Sequence, residues 1–232
     1  MKNLETIPWK ETIEILNTKG HSLIKNALTK SECEELIATY DQSQLFRKTI
    51  QMARYRFGSG EYKYFNYPLP PLLESLRSEI YQQLMPVANQ WMNLLKTGIN
   101  YPAKHSEFID QCNAADQLRP TPLILRYGVG DFNTLHQDLY GEIYFPFQAI
   151  LFLNKKEVDY SGGELVLTEQ VPRAQSKATV ISPDQGDMVV LTTQLRPKKG
   201  TKGYYRINMR HGVSEVTSGK RHTVGIIFHD AK

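Results

Sequence analysis

The sequence predicts a mainly β fold: an antiparallel double-sheet roll of about eight strands, with helices gathered in the first third of the chain. Three observations predict it. From Pro122 onward short apolar runs recur, at Leu123–Leu125, Phe147–Leu153, Glu164–Leu167, Met188–Leu191, Tyr204–Met209 and Thr223–Phe228. Turn-forming clusters punctuate them, at Gly128–Gly130, Ser161–Gly163, Pro183–Asp187 and Ser218–Gly219. Before Pro122 the apolar spacing is that of helices.

Thr12–Asn17 reads as a short helix, and His21–Leu28 alternates weakly enough for a strand. Thr29 or Ser31 caps a helix that runs through Tyr40, with Glu32 and Glu34 favourably placed at its positive end. Leu72–Lys96 carries Leu73, Leu76, Ile80, Leu84 and Trp91 near helical spacing, and Pro86 is expected to break or kink it. Tyr62–Pro71, with Pro68, Pro70 and Pro71, reads as a loop over the core. No Pro/Ser/Gly-rich linker interrupts the chain, so residues 1–232 are expected to form a single domain. Residues 1–120 would supply mostly helical support and a substrate-side loop, and residues 121–232 the β core.

Bulk properties narrow the class. The 232 residues, 41% hydrophobic and 22% charged, are those of an ordinary globular chain with ample core. The longest apolar runs, such as Phe145–Leu153, are too short to span a bilayer, and no membrane partner is expected. Met1–Lys10 lacks the apolar stretch of a secretory signal. Cys33 and Cys112 have no metal-type spacing and read as free thiols in a reducing cytosol, so a cytoplasmic location is expected. A net charge of +4 permits an acidic partner without requiring one.

His136-Gln137-Asp138 is the most chemical feature of the chain. Two histidines and one carboxylate form the ligand set of a mononuclear ferrous centre with open positions. On a strand, positions i and i+2 share a face, so His136 and Asp138 can aim at one ion while Gln137 turns away. Alone the triplet is weak evidence, since a histidine is more often a surface or hydrogen-bonded core residue. A third ligand must come from elsewhere. His21 and His105 have no partner nearby, His229 is nearly terminal, and the pattern favours His211 over His222. Thr217–Lys220 reads as a turn that returns Arg221 toward the sheet holding His211. A guanidinium there suits a dicarboxylate, because it offers two parallel hydrogen bonds.

Several motifs in order carry a resemblance. Leu125–Asp138, LRYGVGDFNTLHQD, is similar to the approach to the first iron ligands in the 2-oxoglutarate/Fe(II) dioxygenases, above all the alkylation-repair branch. Gly162-Gly163-Glu164-Leu165, Gln185-Gly186-Asp187 and the run His211–Arg221 resemble the prolyl-hydroxylase-like branch. His136–Glu142, Leu167–Gln170 and Gly225–Asp230 together resemble a bacterial oxygenase family described as acting oxidatively on damaged, methylated DNA.

The resemblance implies a double-stranded β-helix, jelly-roll or cupin-like, as the core. It implies Fe(II) held by His136, Asp138 and His211, with 2-oxoglutarate and molecular oxygen as co-substrates. Arg221 would pair with the far carboxylate of 2-oxoglutarate, and Tyr127 would hydrogen-bond the same group. The alkylation-repair branch has an asparagine two residues before that tyrosine, where this chain has Leu125; Gln148, Asn208 and Arg126 are candidates to replace it. The implied reaction couples decarboxylation of 2-oxoglutarate to C–H hydroxylation, as an oxidative demethylase of alkylated nucleic acid or as a hydroxylase of a protein side chain, amino acid or other small molecule. A cupin-like module without chemistry is the remaining reading, and the intact ligand set argues against it. For substrate, Arg54, Arg56, Tyr62 and Tyr64 interleave charge and aromatic rings in a way that holds phosphates and stacks bases, or else that packs a loop on the core. Tyr140 and Glu142 follow the metal motif closely, and they and Gln148 are further candidates for the pocket wall.

Overall fold

The computed structural model describes residues 4–171 and 173–232. Helix α1 (Trp9–Lys19) leads into β1 (His21–Ile24), α2 (Lys30–Ala38), β2 (Phe46–Gln51), β3 (Gly58–Ser59), β4 (Glu61–Phe65), α3 (Pro71–Leu94) and α4 (His105–Ala114). The remainder is β5 (Leu123–Tyr127), β6 (Phe132–His136), β7 (Phe147–Phe152), β8 (Tyr160–Gly162), β9 (Leu165–Gln170), β10 (Lys177–Ile181), β11 (Met188–Thr192), β12 (Leu195–Gly200), β13 (Gly203–Val213), β14 (Val216–Gly219) and β15 (Arg221–Ile227). All ladders between these strands are antiparallel. The larger sheet has the order β1-β11-β7-β15-β5-β4-β2, and the smaller one β10-β9-β13-β6-β3 with β12 beside β13. Together they make the jelly-roll core that the sequence predicts.

The helices follow their local signals. Thr29 caps α2 with a full capping box: its Oγ1 accepts from the Glu32 N–H at 3.2 Å, and the Glu32 carboxylate accepts from the Thr29 N–H at 2.8 Å. Gly20 ends α1 in the left-handed conformation, φ 76°. Pro86 does not break α3, which runs unbroken from Pro71 to Leu94. An interior proline costs about 3 kcal/mol. Burial of Leu84, Val87 and Trp91 around it, at roughly 1.5–3 kcal/mol for each large side chain, outweighs that cost.

Two expectations are corrected. Tyr62–Phe65 is not loop: it belongs to β4, paired with β2 on one side and β5 on the other, and the prolines confine the loop to the residues that follow. Thr217–Gly219 is strand rather than turn, since β14 pairs with β8, and the reversal falls at Gly219, φ 72°, and Lys220.

Alternation along the larger sheet sets the function of its two faces. Ile124, Ala149, Leu151, Val224 and Ile226 join the core beneath the helices, with Leu73, Leu76, Ile80 and Trp91 of α3. Their neighbours Leu123, Leu125, Tyr127, Gln148, Ile150, Arg221, Thr223 and Gly225 point the other way and line a cavity between the sheets. Among the described residues no helix is long and apolar enough to cross a membrane.

Candidate metal centre and co-substrate pocket

His136 closes β6 and stands directly across the ladder from His211 on β13. Their ring centroids are 4.2 Å apart. Asp138 lies outside the strand, so the expected i, i+2 alternation stops at His136, and the coil that follows carries the carboxylate round. Oδ1 of Asp138 is 3.7 Å from Nε2 of His136, and Oδ2 is 3.3 Å from Nε2 of His211. One ligand atom from each residue falls within a 4.8 Å cluster. Bonds of about 2.0–2.2 Å to one ion fit that spacing, and the donor types fit ferrous iron.

Surrounding groups orient these ligands. Nδ1 of His136 is 2.7 Å from the Thr134 carbonyl, which holds the proton there and leaves Nε2 free as a donor to metal. Burial, and then the neighbouring His211, pushes the His136 pKa down, which favours the neutral, ligating imidazole. Burial opposes the charge on Asp138, but His136, His211 and the Tyr140 hydroxyl outweigh it and hold the carboxyl well below its ordinary range. Tyr140 donates to Oδ1 at 2.8 Å. Its own hydroxyl is raised by burial and by Asp138, so it remains a proton donor. The Gln148 amide lies 3.3 Å from Nε2 of His211. Gln137 lines the cavity, with its amide engaged by Oδ1 of Asn208 at 2.5 Å and by the Met209 carbonyl at 2.8 Å, to both of which it donates.

The far end of the cavity is cationic. Arg221 opens β15 opposite Tyr127 on β5 and is 1% exposed. Its guanidinium carbon lies 5.4 Å from the Tyr127 ring, 5.3 Å from Phe152 and 5.9 Å from Tyr160. Nε and Nη1 are buried without a hydrogen-bond partner. An unpaired buried cation is costly, so these two atoms mark a place for an anion. Gly163, φ 61°, makes room for the side chain: a Cβ there would come within 2.8 Å of Cδ of Arg221. Burial pushes the Tyr127 hydroxyl up to about 12, with Arg221 pulling the other way. It stays a neutral phenol, accepting from Nδ2 of Asn133 at 3.3 Å and keeping its proton to donate.

The remaining candidates divide. Tyr62, Tyr140 and Gln148 line the cavity, as does Leu125. Tyr64 stands behind, edge-on to both Tyr62 and Tyr140. Arg126 leaves the site to stack on Tyr40 and pair with Glu61, and Asn208 is engaged by Gln137, so neither replaces the asparagine expected where Leu125 stands. Glu142 is exposed and pairs with Lys232. Arg54 and Arg56 are exposed and outside the cavity wall. The other histidines are elsewhere: His21 lies by the Lys19 carbonyl, His105 reaches the Phe228 carbonyl, His222 reaches Asn154, and His229 accepts from the Phe145 N–H. Asn133 is the site residue the sequence reading missed. It lines the cavity because a bulge sets four residues of β6, Asn133 to His136, against three of β13, His211 to Val213. Residue types alone carry no signal for that bulge.

A family model described as oxygenase, catalysing oxidative methylation of damaged DNA, matches residues 60–231. Uncharacterized proteins of two Mycobacterium tuberculosis strains are 43% identical over 167 residues, 72% of this chain and 72% of theirs. Among solved structures, a Pseudomonas putida prolyl-4-hydroxylase is similar with a TM-score of 0.58 and 15% identity, over 97% of this chain and 99% of that one. A Trichoplax adhaerens prolyl hydroxylase, solved with a hypoxia inducible factor peptide fragment, gives a TM-score of 0.61 and 17% identity, over 94% and 87%. A 2OG-Fe(II) oxygenase family oxidoreductase of Burkholderia pseudomallei gives 0.55 and 14%, over 96% and 92%. These neighbours show the shared fold, and the His-Asp-His donor set suits a ferrous ion.

Proposed function

The chain belongs to the oxygenase family described as catalysing oxidative methylation of damaged DNA, and from that premise we propose that it is an Fe(II)- and 2-oxoglutarate-dependent dioxygenase that removes methyl groups from alkylated nucleic acid. In this reading His136, Asp138 and His211 hold the iron, while Arg221 and Tyr127 hold the distal carboxylate of 2-oxoglutarate. The observation that carries it is the pairing of a three-ligand cluster with a buried, unpaired guanidinium in one cavity. When bound, iron with 2-oxoglutarate and dioxygen supplies decarboxylation of the 2-oxo acid to succinate and carbon dioxide, with hydroxylation of a C–H bond.

The protein's own groups orient and seal. Arg221 offers unsatisfied N–H donors to a carboxylate, and the Tyr127 hydroxyl adds another. Leu123, Leu125, Ile150 and Leu165 wall the space between the two polar ends, which keeps water from the bound 2-oxo acid. Tyr140 fixes the Asp138 carboxylate, and Thr134 fixes the His136 tautomer. The whole of residues 1–232 is taken as one catalytic unit, because α1, α2, α3 and the larger sheet share a core. Cys33 and Cys112, buried and unpaired, suit the reducing cytoplasm.

Hydroxylation of an N-methyl carbon gives a hemiaminal that releases formaldehyde. The test is therefore succinate and formaldehyde release with a methylated oligonucleotide, against the same oligonucleotide unmethylated. Matched succinate and formaldehyde are expected. Succinate coupled instead to a mass gain of one oxygen on a peptide or small molecule would replace the nucleic-acid substrate and keep the oxygenase. No succinate under any substrate would overturn the reading.

A further inference from the structure

Tyr55 and Phe57 form an exposed stacked pair, 51% and 46% accessible, with ring centroids 5.6 Å apart and planes 19° from parallel. Apolar rings at the surface without a partner mark interaction sites more often than isolated exposed leucines do. This pair is built rather than loose. The residue between them, Arg56, has φ 59°, a conformation that lets side chains two apart come together. Met52, fully buried, packs with Tyr127 and Val216 and ties the turn to the co-substrate end of the cavity. The Phe57 carbonyl accepts from both the N–H and the hydroxyl of Thr134, each at 2.9 Å, on the strand that ends at His136. Phe57 itself lines the cavity. The stack therefore begins at the cavity wall and continues into solvent.

The same turn also carries free positive charge. Arg47 lies over Tyr64, Arg77 pairs with Asp230, Arg126 with Glu61 and Arg196 with Glu169. Arg54 and Arg56, flanking Tyr55, are exposed and, like Arg119, Arg173, Arg206 and Arg210, make no ion pair among the described residues, but here they flank an exposed stacked pair of rings. Two free guanidiniums beside two free ring faces match a strand of nucleic acid, whose phosphates and bases alternate in the same way. An extended peptide has an uncharged backbone, so it would match only where its own side chains are acidic. A paired duplex keeps its base faces buried, so the platform suits unpaired bases.

We propose that Arg54-Tyr55-Arg56-Phe57 is a docking platform for single-stranded nucleic acid, on which a base next to the target extends the Tyr55–Phe57 stack while the arginines hold phosphates. This deepens the proposed function and rests on it for the identity of the target base, but the platform is read by binding rather than by turnover.

The experiment is fluorescence anisotropy of a labelled single-stranded 12-mer with the full chain, in EDTA and again with Fe(II) and 2-oxoglutarate under argon. The same strand as a duplex and a proline-containing acidic peptide are compared. Wild type is expected to prefer the single strand. Y55A/F57A should lose about tenfold or more in affinity, while Y55F and F57Y retain it. R54Q/R56Q should weaken binding and flatten the slope of log K against log salt by about one to two. Equal affinity in wild type and Y55A/F57A, a preference for the duplex, or loss of peptide rather than oligonucleotide binding in Y55A/F57A would each overturn the platform. Oligonucleotide binding with no succinate release from any substrate would overturn the proposed function and leave the platform standing.

Discussion

The two sheets that face each other across the cavity are built to different standards. The larger one is regular and buried where it lines the cavity, its only register shift lying at the outer β2–β4 pair: Arg221, Thr223 and Gly225 pair in strict register with Tyr127, Leu125 and Leu123. The smaller one is bulged between His211 and Val213, stops at His136, and leaves the rest of the ligand set to a coil. Its β6 is largely exposed, whereas β15 is almost wholly buried. The difference matches the role proposed for each. A carboxylate anchor needs low dielectric and fixed geometry, which buried, fully paired strands provide. A metal that must meet oxygen and a bulky substrate needs an open side, so its ligands stand at a strand end and take their order from hydrogen bonds to Thr134 and Tyr140.

That contrast can be broken in stages. The largest effect is expected on the open side: His211→Ala removes a proposed ligand and should abolish the visible band of the anaerobic Fe(II)–2-oxoglutarate complex and reduce succinate to background. A band that persists would detach the cluster from the metal. On the buried side, Arg221→Met removes one partner of a buried charged contact, a loss of about 2–5 kcal/mol, so KM for 2-oxoglutarate should rise by about thirtyfold or more. The same variant should be no less stable without ligand, because it removes a buried cation whose Nε and Nη1 are unpaired. A drop in Tm in the absence of 2-oxoglutarate would show that Arg221 serves the fold first. Tyr140→Phe deletes the hydrogen bond to Asp138 together with the hydroxyl contact to Tyr64, and should weaken Fe(II) binding by about 10–100-fold, measured by titration, with KM for 2-oxoglutarate unchanged. Gly163→Ala should act on the anchor alone. The new methyl group meets Cδ of Arg221 at 2.8 Å on a left-handed backbone, and backbone strain of this kind costs on the order of 1–3 kcal/mol. KM should rise severalfold while Fe(II) affinity stays the same.

How much of this was legible in the sequence follows the same divide. The regular sheet read well, since its apolar runs at Leu123, Phe147, Met188 and Thr223 and the glycines between them are local signals. Its strand β4 was obscured by the three prolines that follow it, although Tyr62 and Tyr64 carry the alternation of a strand. The capping box at Thr29 was visible, but survival of α3 through Pro86 was not, because tertiary burial outweighs a local penalty. At the site, residue types pointed to His136, Asp138, His211 and Arg221, and the structure brings them into one cavity. Geometry that depends on irregular backbone was out of reach. A period-two argument placed Asp138 on a strand it does not belong to, and gave no reason to notice Asn133. Tyr140, read as pocket wall, also holds the Asp138 carboxylate. Such contacts depend on where a bulge or coil places a side chain, and composition does not encode that.

Arg221 has one more consequence. A folded chain that seals two unpaired N–H groups of a cation inside its sheets carries a stored electrostatic deficit, and any dicarboxylate that fills the space relieves it. Occupancy and folding are then linked by mass action: a ligand at a hundred times its dissociation constant adds about 2.7 kcal/mol to stability. Under the proposed function, 2-oxoglutarate would therefore raise the Tm of the wild-type chain and leave that of Arg221→Met nearly unchanged.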